Sequence, residues 1–95
     1  MRKSTHTGEY ATLRASLVAI RQKAGISQRE LARRLQVPHT WVAKVESGER
    51  RIDLIEFAWF CSACGTIASK EAARLMSSWR SHDAALLTER VGRRR

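Results

Sequence analysis

Three glycines divide the middle of this 95-residue chain into short segments. Gly25, Gly48 and Gly65 each follow a stretch that suits a helix. Glycine readily adopts the left-handed conformation just past a helix end, so each of the three predicts such an end. The sequence has neither sustained alternation of apolar and polar residues nor a hairpin dipeptide, so no strand is predicted. The chain is therefore expected to fold into short α-helices.

The predicted helices also carry start signals. Ser27 and Glu30 form an S-x-x-E capping box, and Asp53 with Glu56 repeats the signal. Pro38 suits the first turn of a helix, where its missing N–H costs nothing. The expected helices are a first that ends before residue 25, a second of about ten residues from residue 27, a third over 38–47, a fourth over 53–64 and a fifth from residue 69.

Residues 27–48 form a helix-turn-helix arrangement, since they hold two short helices joined by about three residues. Ala32 must be small because the third helix crosses close to it, and Val37, Val42 and Val45 then point inward. In this motif the second of the two helices lies in the major groove of DNA, with its N-terminal residues at base edges. The candidate base contacts on that helix are His39, Thr40, Trp41 and Lys44.

The charge of the chain fits a polyanionic partner. The chain holds 18 Lys and Arg against 9 Asp and Glu, a formal net charge of +9, and its pI is ≈ 11.1. Residues 21–52 alone hold eight basic and three acidic residues. Such an excess indicates a polyanionic partner, although an anionic membrane surface or simple solubility would also account for it. Together with the helix-turn-helix motif, it favours double-stranded DNA as the partner.

At this point the sequence resembles the Cro/repressor-type helix-turn-helix transcriptional regulators, also called the XRE family. The resemblance covers roughly residues 10–65 and rests on the stretches IRQKAGISQRELARRLQV, VAKVESGERR and IDLIEFAWFCSACG. It implies a compact, all-α, five-helix lambda-repressor-like domain around one core, with a possible short C-terminal helical extension. It also implies binding to DNA operators, usually as a homodimer on a dyad-symmetric site.

The resemblance further implies roles for single side chains. Gln28, at the start of the second helix, would hydrogen-bond a phosphate, and Arg50 and Arg51 would hold phosphate after the recognition helix. Arg21 and Glu46 would form an internal ion pair. The residues facing base edges would be His39, Thr40 and Lys44.

Some side chains allow two interpretations. Arg29 is a candidate phosphate contact or part of a solvated surface, and Arg33 and Arg34 are equally well explained by solubility. Trp41 either packs between the third and fourth helices or touches a thymine methyl group or a sugar. Gln36 stands where the family often has glycine, and a positive φ there costs another residue on the order of 1 kcal/mol.

Cys61 and Cys64 spell C-x-x-C, but the sequence has no second such pair to complete a zinc site. They are predicted to be core residues rather than metal ligands, with an intermolecular metal site or a redox switch as the alternative. The late apolar residues exceed the needs of so small a core, and this indicates a homodimer interface. Its candidate residues are Leu75, Met76, Trp79, Leu86 and Leu87.

Several classes of protein are not predicted. A Gly-rich phosphate loop and a nucleophile beside a base are both missing from the sequence, so we expect neither an enzyme nor a cofactor. The sequence has no run of about 18 apolar residues and no secretory signal, which favours a cytoplasmic protein away from the membrane. The expected organisation is a disordered basic arm at 1–9, the helix-turn-helix domain at 10–80, and a C-terminal helical extension with a basic tail at 81–95.

Two functions fit these features. The first is a sequence-specific transcriptional regulator that binds a dyad-symmetric operator as a homodimer, with the helix Pro38–Glu46 in the major groove. The second is an antitoxin or another protein-interaction module, which sequesters a partner protein and autoregulates its operon. A nucleoid-type binder without sequence preference is a third possibility, and it would show a steep dependence on salt.

Overall fold

The computed structural model describes residues 7–79, which form five α-helices and no strand. The first four helices are α1 (Gly8–Lys23), α2 (Gln28–Leu35), α3 (His39–Ser47) and α4 (Leu54–Ala63). The fifth, α5, occupies residues 68–79. The predicted all-α fold is confirmed. Most of the predicted arm, and the predicted extension and tail at 81–95, lie outside the described residues.

Helix α1 begins earlier than expected. The side chain of Thr7 accepts a hydrogen bond from the backbone N–H of Tyr10, with a distance of 3.1 Å between Oγ1 and N. This cap places Gly8 and Glu9 in the helix, although the sequence analysis assigned both to the arm.

The two predicted capping boxes differ in the structure. At the start of α4, Asp53 and Glu56 each accept the other's backbone N–H, so the box is complete. At the start of α2, Ser27 accepts the N–H of Glu30 at 3.0 Å. The carboxylate of Glu30 turns instead to the guanidinium groups of Arg33 and Arg34, whose hydrogen bonds lower the pKa of Glu30 to about 2. Only half of the predicted box therefore forms at α2.

The turn between α2 and α3 contains a strained backbone position. Gln36 has φ 58° and ψ 45°, the left-handed conformation, and it is the one non-glycine residue with positive φ among residues 7–79. Gln36 therefore has the positive φ expected at this place in the turn, and it adopts that φ at a steric cost that glycine would avoid. Gly48 ends α3 in the same conformation, with φ 86°.

The core lies between α1, α2, α3 and α4. Ala32 is 2% exposed where α2 meets α3, as its small size predicts. Val37 is half-buried and packs against the same core. The side chains that are fully buried are Leu17, Leu31, Val42, Val45, Phe60 and Cys61.

Polar bonds tie the outer elements to this core. Tyr10 is buried, and its hydroxyl accepts the N–H of Ile52 at 3.0 Å, which anchors the α3–α4 loop to α1. The indole N–H of Trp79 donates to Thr12 at 2.7 Å and so ties α5 to α1. Within 7–79, the structure has no helix with both the length and the apolar character needed to cross a membrane.

Gln36→Gly should stabilise the domain, because glycine adopts positive φ without a Cβ clash. We expect the free energy of unfolding to rise by about 0.5–1 kcal/mol, since the greater entropy of glycine in the unfolded chain offsets part of the gain. Urea denaturation would measure the change. Gln36→Ala is the matched control and should give no such gain, because alanine keeps the Cβ. An equal gain from both substitutions would place the cause in the Gln36 side chain rather than in the backbone.

Candidate nucleic-acid interface

Helix α3 has one buried face and one open face. Val42 and Val45 are fully buried. His39, Thr40 and Lys44 are exposed. At 100° per residue these three fall within one arc, so the open face begins at the N-terminus of the helix and continues over the next turn. The arrangement leaves the predicted base-contacting side chains accessible together.

A buried ion pair sets the position of α3. The guanidinium of Arg21 donates to both oxygens of Glu46, with distances of 2.7 Å from Nε to Oε2 and 3.1 Å from Nη2 to Oε1. The two side chains are only 13% and 6% exposed. Arg21 also donates to the carbonyl of Ile26 at 2.9 Å. The hydrogen bond with Glu46 raises the pKa of Arg21, and the pair joins α1 to α3.

The same carboxylate orients Gln28. The side-chain Nε2 of Gln28 donates to Oε1 of Glu46 at 2.9 Å. An amide nitrogen carries two hydrogens, so one remains for another acceptor such as a phosphate oxygen. Arg29 is exposed beside it and makes no side-chain bond within residues 7–79. Both predicted phosphate contacts thus lie at the start of α2.

Trp41 and Arg50 form a second connection, between α3 and the loop that follows it. Trp41 is half-buried and packs against the core. The guanidinium carbon of Arg50 lies 5.1 Å from the centre of a Trp41 ring, a cation–π distance. Of the two interpretations of Trp41, the structure therefore shows packing: the side chain contacts both the core and Arg50.

Arg50 is also held by Glu56. Its two terminal nitrogens donate to the two carboxylate oxygens at 3.1 and 3.0 Å, and Nη1 donates to the carbonyl of Arg51 at 2.9 Å. A guanidinium has five N–H groups, so two are left for a phosphate. Arg51 is exposed, and its side chain has no bond in the described part of the chain. Arg50 and Arg51, the two phosphate contacts that the resemblance implies, therefore offer different numbers of free N–H groups.

Two arginines act at helix ends in a way that the sequence analysis missed. Arg14 of α1 donates to the carbonyl of Ser47 at 3.0 Å, at the C-terminus of α3, and its side chain covers Gly48. Arg34 of α2 donates to the carbonyl of Ala63 at 2.9 Å, at the C-terminus of α4. A cation is favourable at the negative end of a helix. Arg34 is thus a bridge between helices rather than only a solubilising residue.

The predicted dimer residues do not share one environment. Leu75 is only 7% exposed and packs within its own chain, so little of its surface is open, and its place in a dimer interface stays a prediction. Met76 is 52% exposed. Trp79 is half-buried and hydrogen-bonded to Thr12. Leu86 and Leu87 lie outside the described residues.

The first C-x-x-C cysteine, Cys61, lies on the buried side of α4, and the second, Cys64, directly follows the helix. Cys61 is fully buried and Cys64 is half-buried, and both are free thiols. Burial raises the pKa of the Cys61 thiol to about 11 and also raises the pKa of Cys64. Residues 7–79 contain no group of three or more His, Cys, Asp or Glu side chains that could hold a metal ion. Cys61 belongs to the hydrophobic core, and Cys64 packs against it.

Comparison with known proteins finds similarity to a family and to solved structures. Residues 12–75 match the family described as "Helix-turn-helix domain". A solved structure described as "XRE-family like protein from Pseudomonas syringae pv. tomato str. DC3000" is 41% identical, and the match covers 77% of this chain and 89% of that one with a TM-score of 0.74. No curated protein matches the chain.

The short α2, the tight turn and the exposed α3 define a DNA-binding domain of the helix-turn-helix class. The family match covers more than half of the chain, and the similar structure is aligned over most of both chains. The chain belongs to the XRE family of helix-turn-helix regulators.

Glu46→Gln should destabilise the domain strongly. It keeps the shape of the side chain but leaves the nearly buried charge of Arg21 without a counter-ion. We expect the free energy of unfolding to fall by about 2–3 kcal/mol, measured by urea denaturation. Glu30→Gln removes the same charge from the exposed pairs with Arg33 and Arg34 and should cost much less. Equal losses in the two variants would mean that solvent screens the Arg21–Glu46 pair.

The stability of the domain should depend on pH through Glu56. Hydrogen bonds from Arg50, and then from the backbone of Asp53, lower the pKa of Glu56 below its ordinary value of 4.5. Such a carboxylate stabilises the fold above its unfolded pKa, and the contribution is lost as the pH falls through the folded pKa. The urea midpoint should therefore decrease between about pH 5 and about pH 3, and less steeply in Glu56→Gln.

Glu49→Gln is the matched control for this measurement. Glu49 is exposed in the same loop, and its carboxylate makes no bond within the described range. This variant should keep the wild-type dependence on pH. A wild-type slope in Glu56→Gln would contradict the assignment.

Proposed function

We propose that the chain is a sequence-specific transcriptional regulator that binds a dyad-symmetric operator as a homodimer. Each subunit places the N-terminal part of α3, within Pro38–Glu46, in the major groove. The observation that carries this proposal is the open face of α3, where His39, Thr40 and Lys44 are exposed together while the opposite face is locked into the core. The major groove is about 12 Å wide and admits a single helix.

The chemistry of these three side chains suits base edges. Lys44 donates to acceptors such as the O6 and N7 atoms of guanine. Thr40 has a hydroxyl that donates or accepts, and a methyl group that packs against thymine. His39 precedes both at the first position of the helix, where a side chain reaches either a base or the adjacent phosphate.

The phosphate contacts come from both sides of α3. Gln28 and Arg29 lie at the start of α2, and Arg50 and Arg51 lie in the loop after α3. Contacts to phosphate fix the register of a protein on DNA without reading its sequence. The one remaining N–H of the Gln28 amide supports this role, as do the guanidinium groups of Arg29 and Arg51, which make no bond within residues 7–79. Arg50 contributes the two N–H groups that Glu56 and Arg51 leave unused.

The first experiment is selection of bound duplexes from a random library at about physiological salt. Two recognition helices of a dimer lie about 34 Å apart on successive major grooves, so the expected result is an inverted repeat with half-site centres one turn apart. Tight binding at low salt without enrichment of any sequence would contradict the proposal, and would favour nonspecific binding or a partner protein instead.

Lys44→Ala should weaken binding to the selected operator and relax the preference at one base pair of each half-site. We expect the Kd to rise roughly tenfold to a hundredfold, measured by fluorescence anisotropy. Lys70→Ala is the matched control, because it removes the same charge from an exposed position on α5. It should change the Kd by less than about threefold. Similar losses in the two variants would mean that only the net charge matters.

A further inference from the structure

Helix α4 exposes an apolar face that the rest of the described range, residues 7–79, leaves uncovered. Leu54, Ile55 and Trp59 are 73%, 62% and 59% exposed. Ala58 and Ser62 are exposed between them. At 100° per residue the five positions form one continuous arc of the helix, and the buried Phe57, Phe60 and Cys61 occupy the opposite side. These residues therefore form one continuous surface rather than separate exposed side chains.

This face also contains no charged residue. Glu56 is the one charged residue of α4, and it lies outside the arc, half-buried against Arg50. Two copies of a chain with a net charge of +9 repel each other over most of their surface. They meet the least repulsion where a neutral, apolar surface faces its own copy. A highly charged partner would gain nothing from this face.

The size of the face fits part of a dimer interface. Three large side chains exposed to this degree present on the order of 300–400 Å² of apolar surface, which is about half of the ~800 Å² that each partner contributes to a standard interface. Trp59 lies near the middle of α4, and tryptophan is enriched at the energetic centres of interfaces. A polar rim from neighbouring residues completes such an interface.

We infer that the exposed face of α4 pairs with the same face of a second copy of this chain. The inference deepens the homodimer of the proposed function by naming its surface, and it rests on that proposal for its role at an operator. It moves the interface from Leu75 and its neighbours on α5 to Leu54, Ile55, Ala58 and Trp59. An isologous pairing of this kind brings identical residues together across a two-fold axis.

Helix α4 is well placed to set the spacing of two recognition helices. Residues 48–53 join it directly to α3, and Arg50 braces this connection through Trp41 and Glu56. Pairing through α4 therefore transmits its geometry to α3 over a short, stiff link. Pairing through the far end of α5 would have no such direct link.

The test measures self-association of the full chain without DNA, by sedimentation equilibrium. The wild-type chain should dimerise, and Ile55→Glu should raise the dimer Kd by at least about thirtyfold, because it places like charges in the centre of the interface. Met76→Glu is the matched control, since it puts the same charge at an exposed apolar position on α5. It should change the Kd by less than about threefold. Circular dichroism checks that both variants remain folded.

A crosslinking variant tests the surface without disturbing it. Ala58→Cys introduces a thiol at the centre of the face, and a short bifunctional thiol reagent should join two copies of it. Ser77→Cys, at an exposed position on α5, should crosslink no more than the wild-type chain with its native Cys61 and Cys64. Preferential crosslinking of Ser77→Cys would overturn the inference.

Other outcomes would overturn it as well. These are a wild-type chain that stays monomeric at about 100 µM, or a dimer that Met76→Glu disrupts and Ile55→Glu does not. The operator selection is a separate measurement. If the chain pairs through α4 but selects no DNA sequence, the proposed function is overturned and this inference stands. If the chain selects an inverted repeat but pairs through another surface, this inference is overturned and the proposed function stands.

Discussion

The Arg21–Glu46 ion pair is the interaction on which the geometry of this domain depends. Glu46 is the acceptor for side chains from α1 and α2, and it sits near the end of α3. Arg21 also donates to the turn before α2, through the carbonyl of Ile26. One nearly buried carboxylate thus fixes three helices relative to one another. A hydrophobic contact in the same place would contribute to stability without imposing such a direction.

A second polar connection controls how the recognition helix joins the rest of the fold. Arg50 stacks on Trp41 of α3 and pairs with Glu56 of α4, while Glu56 also completes the cap at Asp53. The loop between the helices is therefore held at both ends. This explains why a basic loop expected to face phosphate contains one arginine with a structural partner and one without.

Local features of the sequence predicted the fold well, because helix caps, glycine stops and the proline at the turn act within a few residues. The left-handed backbone at Gln36 was implied instead by the family resemblance, since the family often has glycine at that position. The bonding partners of the charged side chains could not be anticipated, since they depend on distances between helices. No local pattern shows that Arg34 reaches Ala63, or that Leu75 is covered once α5 docks. The exposed arc of α4 could not be located either, because its sequence is apolar on nearly every side and fits a central helix as well as one at an interface.

The helices themselves are short, with 8 residues in α2, 9 in α3 and 10 in α4. Isolated helices of fewer than about 12 residues are marginal in water, so none of the three is expected to persist outside the folded domain. A peptide limited to residues 27–48 would contain every side chain assigned to the bases and yet would not hold them in one array. The ability to read DNA is in this sense a cooperative property of the whole domain. It should appear and disappear with the global folding transition, and the segment proposed to enter the groove should not carry it alone.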